Sequence, residues 1–380
     1  MKDKKKEKKA IYPVVLPEGN LGDILIHKAL IHSIKKRAEI AITDKYIGDK
    51  TFKRLGLVEE NKAVNQGYKR GLFIKNGSFK LPSYVMMGPG HFFTTGPKLF
   101  SKDWKKRLLW IIGQTKTLIY LVMLKIMGVK VCRFGVSLGP LAGIDNWFER
   151  RFASCMHFYS VRDSNSVKFV KSIGINKVKE FPDCAFLFPL LTQKEPPQNN
   201  EKYIVLSFRS EIHTNHPDKN YANKILSAVE RIAKEYASDE YTIYITSQVD
   251  VDIAFGKVIY NKLAPNYKVK LIDKLLEEDD LHQVYGNAEM VFSNRLHVLL
   301  FAMRSLTIPV GLTYKNQHSK LTGIFKDMGI EQLILDAEQE FSIEELNHIV
   351  LIKDDVRKRI EAEWNKRHTL GNRQLDTVFC

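Results

Sequence analysis

Between residues 203 and 312, short β-branched and aromatic runs alternate with helical patterns, and no other feature constrains the fold so tightly. YIVLSF (203–208), YTIYIT (241–246), YKVKLI (267–272), EMVFS (289–293) and LTIPVGL (306–312) read as strands. Between the first two lies NKILSAVERIAKEYA (223–237), with Ile225, Val229, Ile232 and Ala233 on one helical face. Strands joined through helices run parallel, so this half is expected to form an open, doubly wound sheet. The first half repeats the alternation with longer connections: strands at 11–17, 38–42, 83–89, 129–137 and 157–163, and a helix at 22–36 after the first of them.

A chain of 380 residues is long enough to bury two cores. The polar, Pro-rich stretch LTQKEPPQNNEK (191–202) has no periodicity and marks the boundary. The expected organisation is a basic arm (1–10), an N-terminal Rossmann-like domain (11–193), a C-terminal one (200–350) and a C-terminal helix (351–380), clearest at 349–368. The fold class is α/β: two doubly wound domains facing a cleft, with the last helix free to cross back.

Lys and Arg number 59 against 43 Asp and Glu, a net charge of +16. Part of the excess is the opening MKDKKKEKKA, six lysines against two acids, which reads as a solvated arm. It is not a signal peptide, because IYPVVL behind it is short and broken by Pro13. The charge favours acidic partners: phosphorylated metabolites, anionic lipid or nucleic acid. Nucleic acid is not expected, since there is no RNP signature, zinc pattern or basic helix with interleaved aromatics. Cys132, Cys155, Cys184 and Cys380 are scattered, reading as reduced thiols of a cytosolic protein with no metal site. The apolar segment 107–131 holds Gln114, Lys116 and Lys125, and its longest uncharged run is eight residues. It reads as an amphipathic helix on a sheet, not a span, with peripheral membrane contact left open.

Open parallel sheets bind ligands at the carboxyl ends of their strands, so motifs there carry most weight. PEGNLGDIL (17–25) follows the first strand. Gly19 and Gly22 allow a tight turn and close approach, Asn20 or Asp23 caps the helix, and the turn is either an anion site or simply structural. FGVSLGP (134–140) places Ser137 after another strand. SVRDSNSVKFVKSIG (160–174) places Arg162 and Asp163 at a strand end, where a structural Arg–Asp pair is the plainer reading. Finally, MVFSNRLHVLLFAM reads as strand, then helix from about Asn294, which puts Arg295 and His297 in a first helical turn. Cations disfavour that position unless an anion binds beside them. Arg209, at the end of the 203–208 strand, and Lys320, after the 306–312 strand, lie at the same sheet edge.

In their order, GNLGDIL, GVSLGP, VRDSNS with FPDCAF, and above all SNRLH resemble the polysaccharide pyruvyl transferase family, from residue 19 to about residue 330. The resemblance implies a GT-B-like pair of Rossmann domains and transfer of the carboxyvinyl unit of phosphoenolpyruvate to a sugar, with phosphoenolpyruvate as substrate and no cofactor. It implies Arg295 and His297 as donor-site residues with Arg209 on the same ligand. Asn294 and Lys320 are read as donor-binding beside them, and protonation of the donor's methylene carbon calls for His297 as general acid. Gly19, Asn20, Gly22, Asp23, Ser137, Arg162 and Asp163 fall on the acceptor side or in structural turns. The partners implied are phosphoenolpyruvate and a sugar acceptor, lipid-linked or not, at a cytoplasmic location that can include the inner membrane face. MMGPGHFF departs from a more glycine-rich turn, and KNQHSKL follows a D-N-x-x-x-K pattern only loosely. Two rivals remain: a GT-B nucleotide-sugar glycosyltransferase using the same cleft, and a non-catalytic anion-binding module.

Overall fold

The computed structural model describes residues 8–16, 19–43, 47–66, 68–69, 74–75, 78–79, 81–92, 104–141, 143–191, 201–211, 219–236, 241–316, 319–339 and 341–380. Most of the basic arm, residues 192–200 of the expected boundary and positions 317–318 lie outside them. The chain divides into two compact units. The first comprises Met1–Leu16, Ile26–Leu187 and Thr369–Cys380, and the second Pro17–Leu25 and Phe188–His368. The turn at 17–25, read from sequence as part of the N-terminal domain, therefore belongs with the second unit.

In the first unit, β1 (Lys9–Pro13), β2 (Glu39–Thr43), β6 (Tyr84–Met87), β8 (Lys130–Leu138), β9 (Phe158–Val161) and β10 (Lys179–Glu180) form a parallel sheet ordered β10-β9-β8-β6-β1-β2. The short β7 (Gly90–Phe92) also pairs with β8. A small antiparallel meander, β3 (Tyr68–Lys69), β4 (Ile74–Lys75) and β5 (Ser78–Phe79), was not expected from sequence. The helices include α1 (Leu21–Lys35), α2 (Asp49–Arg54), α3 (Trp104–Ile126), α4 (Ile144–Cys155) and α5 (Ser164–Ser172). Eight of the nine β8 residues are buried, as a strand covered on both faces requires.

Ser137, Arg162 and Asp163 take the structural of their two expected roles, with a different pairing. Arg162 binds Asp183 of FPDCAF, Nη1 to Oδ2 at 2.5 Å, and donates from Nε to Ser137 Oγ at 2.7 Å. Ser137 donates in turn to Asp163, whose carboxylate caps α5 by accepting from Ser166 N at 2.7 Å. All four side chains are buried. Removing one partner of a buried ion pair strands the other, so Asp183→Ala is expected to cost about 3–5 kcal/mol. An earlier urea transition of the first unit is the measurement that checks it.

The second unit is a parallel sheet of β11 (Lys202–Ser207), β12 (Tyr241–Ser247), β13 (Val269–Leu275), β14 (Met290–Ser293), β15 (Ile308–Thr313) and β16 (Ile334–Asp336). Its order is β13-β12-β11-β14-β15-β16. The crossovers are α6 (Lys219–Tyr236), α7 (Ile253–Leu263), α8 (Glu278–Gly286), α9 (Leu296–Arg304) and α10 (Ser319–Asp327). In chain order the strands run 3-2-1-4-5-6, the doubly wound arrangement in which direction reverses between the first and fourth strands, here β11 and β14. Leu21 and Leu25 of α1 pack with Tyr203, Val205, Val291, Val298 and Phe301, which ties the 17–25 segment to this unit.

The C-terminal helix expected at 351–380 is present, and a shorter helix precedes it. Ser342 starts α11 (Ile343–Leu351) with a reciprocal cap, accepting from Glu345 N at 3.2 Å while Glu345 Oε2 accepts from Ser342 N at 2.8 Å. A second helix, α12 (Lys353–Phe379), opens with Asp354 and Asp355 in its first turn, where carboxylates suit the helix dipole. The last residues of α12 group with the first unit.

Candidate functional site

At the β11–β14 switch point the two strands end in register, Ser207 opposite Ser293. Ser293 Oγ donates to Ser207 O at 2.5 Å and accepts from Arg295 N at 2.9 Å, fixing the start of α9. Arg295 is the N-cap of α9 and His297 its second residue, so His297 lies in the first turn as expected while Arg295 stands just before it. Asn294 has a different role from the donor contact expected of it. Its side chain is fully buried. It accepts from Arg209 N at 2.9 Å and donates to Arg209 O at 2.8 Å and Tyr221 Oη at 3.0 Å. With its amide committed to protein, Asn294 positions Arg209 and presents nothing to a ligand.

The Arg295 guanidinium lies fork-on-fork against Asp252: Nε donates to Oδ2, and Nη2 donates to Oδ1 at 2.5 Å. This geometry is the strongest an Arg–carboxylate pair makes. Asp252 ends a short 3-10 turn after β12, so a third strand end contributes. Burial pushes the Asp252 carboxyl up from its ordinary value, against the opposing pull of Arg295. Burial pushes Arg209 down to about 10, and the charge on Arg295 adds to the effect. Two guanidiniums thus share one buried carboxylate, and an anion beside them would relieve both the burial and the repulsion.

His297 is seated by the GNLGD turn. Asn20 Nδ2 donates to Asp23 Oδ2 at 2.8 Å, and Asp23 N donates to Asn20 Oδ1 at 3.3 Å. The turn is hooked to the end of β12 through Leu21 N to Gln248 O at 3.1 Å and Asp250 N to Gly19 O at 3.0 Å. That places Asp23 Oδ1 3.6 Å from His297 Nδ1, beyond hydrogen-bond length but close enough to act as a charge. Close approach explains both glycines. A Cβ on Gly22 would lie 2.7 Å from His297 Cβ and Nδ1, and one on Gly19 would lie 1.9 Å from Asp250 Oδ2. The glycines make room for protein side chains, which is the structural of the two roles open to this turn from sequence.

Gly22→Ala therefore forces the imidazole to move. It is expected to lower turnover by roughly 10²-fold, the scale of an ångström misplacement of a reacting group. Steady-state kinetics beside a thermal melt check this; because the contact reaches His297 Cβ as well as the ring, the melt is expected to fall along with turnover.

Lys320 lies half-buried in the first turn of α10, beyond β15. Ser137, Arg162 and Asp163 belong to the first unit's internal network and not to this site. Sequence reasoning missed Asp252. The strand-end rule that singled out Arg209 also reaches SQVDVD (247–252), but a carboxylate reads as the wrong charge for an anion site until its arginine is known. Among the described residues, no group of three or more His, Cys, Asp or Glu is arranged to hold a metal ion.

Two Rossmann-like units, the second with a doubly wound switch point, make an α/β fold of the GT-B kind. Solved structures agree. A protein described as a UDP-N-acetylglucosamine 2-epimerase from Listeria monocytogenes aligns with a TM-score of 0.57 at 10% identity, covering 97% of this chain and 95% of that one. UDP-GlcNAc 2-epimerase from Neisseria meningitidis, solved with UDP-GlcNAc, aligns at 0.53 and 12% identity, covering 98% of each chain. Anabaena Alr3699/HepE, solved with UDP-glucose, aligns at 0.52 and 12%, covering 97% and 98%. At such identities the likeness shows the fold alone. The model of the polysaccharide pyruvyl transferase family matches residues 20–316, and the chain belongs to that family of transferases. No curated protein matches the sequence.

Proposed function

We propose that this family member transfers the carboxyvinyl unit of phosphoenolpyruvate to two hydroxyls of one sugar in a cell-surface polysaccharide or its precursor. The product is a pyruvate ketal, phosphate is released, and the reaction takes place in the cytoplasm. The observation that supports this most is the pairing of Arg209 and Arg295 at the β11–β14 switch point, with His297 two residues beyond. Phosphoenolpyruvate is a compact trianion whose planar carboxylate and phosphate suit guanidinium forks.

In this reading Arg295 and Arg209 hold the donor's anionic groups, and Lys320 adds charge at the same edge. His297 protonates the methylene carbon as C2 becomes cation-like, and Asp23 orients the ring and stabilises its charge. One sugar hydroxyl adds to C2, the C–O bond to phosphate breaks, and the second hydroxyl closes the ketal. Of the two hydroxyl protons, one restores His297 and the other leaves with phosphate. A nucleotide-sugar glycosyltransferase is the competing reading, favoured by the sugar nucleotides held by fold neighbours.

The test is incubation with phosphoenolpyruvate and a panel of bacterial-type polysaccharide sugars, scoring phosphate release and a new ketal methyl by NMR. Both signals together, absent without acceptor, are the expected result. Sugar transfer from a nucleotide donor with neither signal would overturn the reading.

A further inference from the structure

Helix α3 carries two apolar faces, and the fold uses only one. Its inner face packs Leu118, Leu121 and Leu124 on Val85, Val131, Phe148 and Phe152 of the first unit's core. On the opposite side Leu108, Ile112, Ile119, Met123 and Ile126, spaced by three, four or seven residues, form a second stripe that is open to solvent. Ile119 is 55% exposed and Ile126 79%. The outward face of an ordinary surface helix is polar. Contiguous exposed apolar surface of this kind marks an interaction site.

We infer that the outer face of α3 seats the protein on an anionic lipid surface. Charge selects the occupant. The helix contains Lys105, Lys106, Arg107, Lys116 and Lys125 and no acidic residue, Lys125 being turned to the protein, where it donates to Ser154 O at 2.8 Å. Three of the five stand together at the N-terminal end beside exposed Trp104, an aromatic suited to the headgroup boundary. A lysine flanking an apolar stripe can bury its methylenes and keep its ammonium among lipid phosphates. The helix is long and apolar enough to cross a bilayer by length and composition. We read it as surface-lying and not as a span, because Leu121 and Leu124 hold it on the first unit's core. It lies along the surface, and its 23 residues give a contact about 35 Å long. This inference does not rest on the pyruvyl-transfer reading, although a lipid-linked acceptor would be found at the same surface.

Flotation of the full chain with vesicles of phosphatidylcholine, or of phosphatidylcholine with phosphatidylglycerol, tests it. The protein is expected to float with the anionic vesicles only, and less as salt rises. Ile112→Glu/Ile119→Glu/Met123→Glu should reduce the bound fraction roughly tenfold or more. The milder Ile126→Glu should reduce it in part, and exposed Leu351→Glu on the second unit should not change it. Three outcomes would overturn the inference: no flotation with anionic vesicles, flotation unchanged in both α3 variants, or a wild-type dimer that the α3 variants dissociate while neither form binds vesicles.

Discussion

His297→Ala is expected to lower turnover in pyruvyl transfer by roughly 10²–10⁴-fold, the range a positioned general acid supplies. Stabilisation of the protein by phosphoenolpyruvate should persist. The side chain sits at the second position of α9, with Gly22 against one side and Asp23 at 3.6 Å. The imidazole is set between the turn and the strand ends and is not part of the core, so its loss removes chemistry more than structure. Asp23→Asn should act more weakly, since it retains the shape and removes only the charge. Turnover and a melt with and without donor separate the two roles. Equal loss of donor binding and turnover in His297→Ala would make the histidine a binding group and not the acid.

Arg295→Ala should have the largest effect on the site, in two separable ways. It leaves Asp252 buried without its fork partner, a change that costs about 3–5 kcal/mol. It also removes a donor clamp, and truncating one side of a buried charge pair at a binding site costs about 2–5 kcal/mol. Arg295→Ala/Asp252→Ala removes the stranded carboxylate, so stability should largely return while donor binding stays lost. Arg295→Lys should not restore binding, because a point charge cannot reproduce the fork. The stability deficit of Arg295→Ala also has a definite pH dependence. Burial already raises the folded-state pKa of Asp252 above its ordinary 3.8, and losing Arg295 raises it further. The folded state then holds the proton longer than the unfolded one, so stability falls as pH rises from about 4 through the folded-state value. Urea titrations of the variant at several pH values above 4 check the sign.

The central strands of both sheets were readable because strands buried on both faces leave apolar, β-branched runs, as in β8, β14 and β15. Two-residue β10, with both side chains exposed, leaves no such trace. Nor did the β3–β5 meander. The placement of Arg209, Arg295 and His297 followed from a single rule about strand ends. Their partners did not, because a partner is set by the fold and not by local pattern. Asp252 reads as a loop acid until β12 comes beside β11, and Asn294 reads as a ligand contact until its amide closes on Arg209. The GNLGD turn was recognisable as a capped βα turn. That it would meet His297 depends on Leu21 and Leu25 packing with the second unit. Arg162 and Asp163 are neighbours in sequence and were read as a pair, yet the guanidinium turns to Asp183 while Asp163 caps its own helix.

Thermal stabilisation by phosphoenolpyruvate is the measurement closest to the central claim, that Arg209, Arg295 and His297 form a phosphoenolpyruvate site. The purified chain would be melted with millimolar phosphoenolpyruvate and, in parallel, with UDP, CMP, phosphate and pyruvate. Selective stabilisation by phosphoenolpyruvate, abolished in Arg295→Ala/Asp252→Ala and retained in His297→Ala, is the predicted result. Stabilisation by a nucleotide alone, with phosphoenolpyruvate inert, would contradict it and assign the same strand ends to a nucleotide-sugar donor.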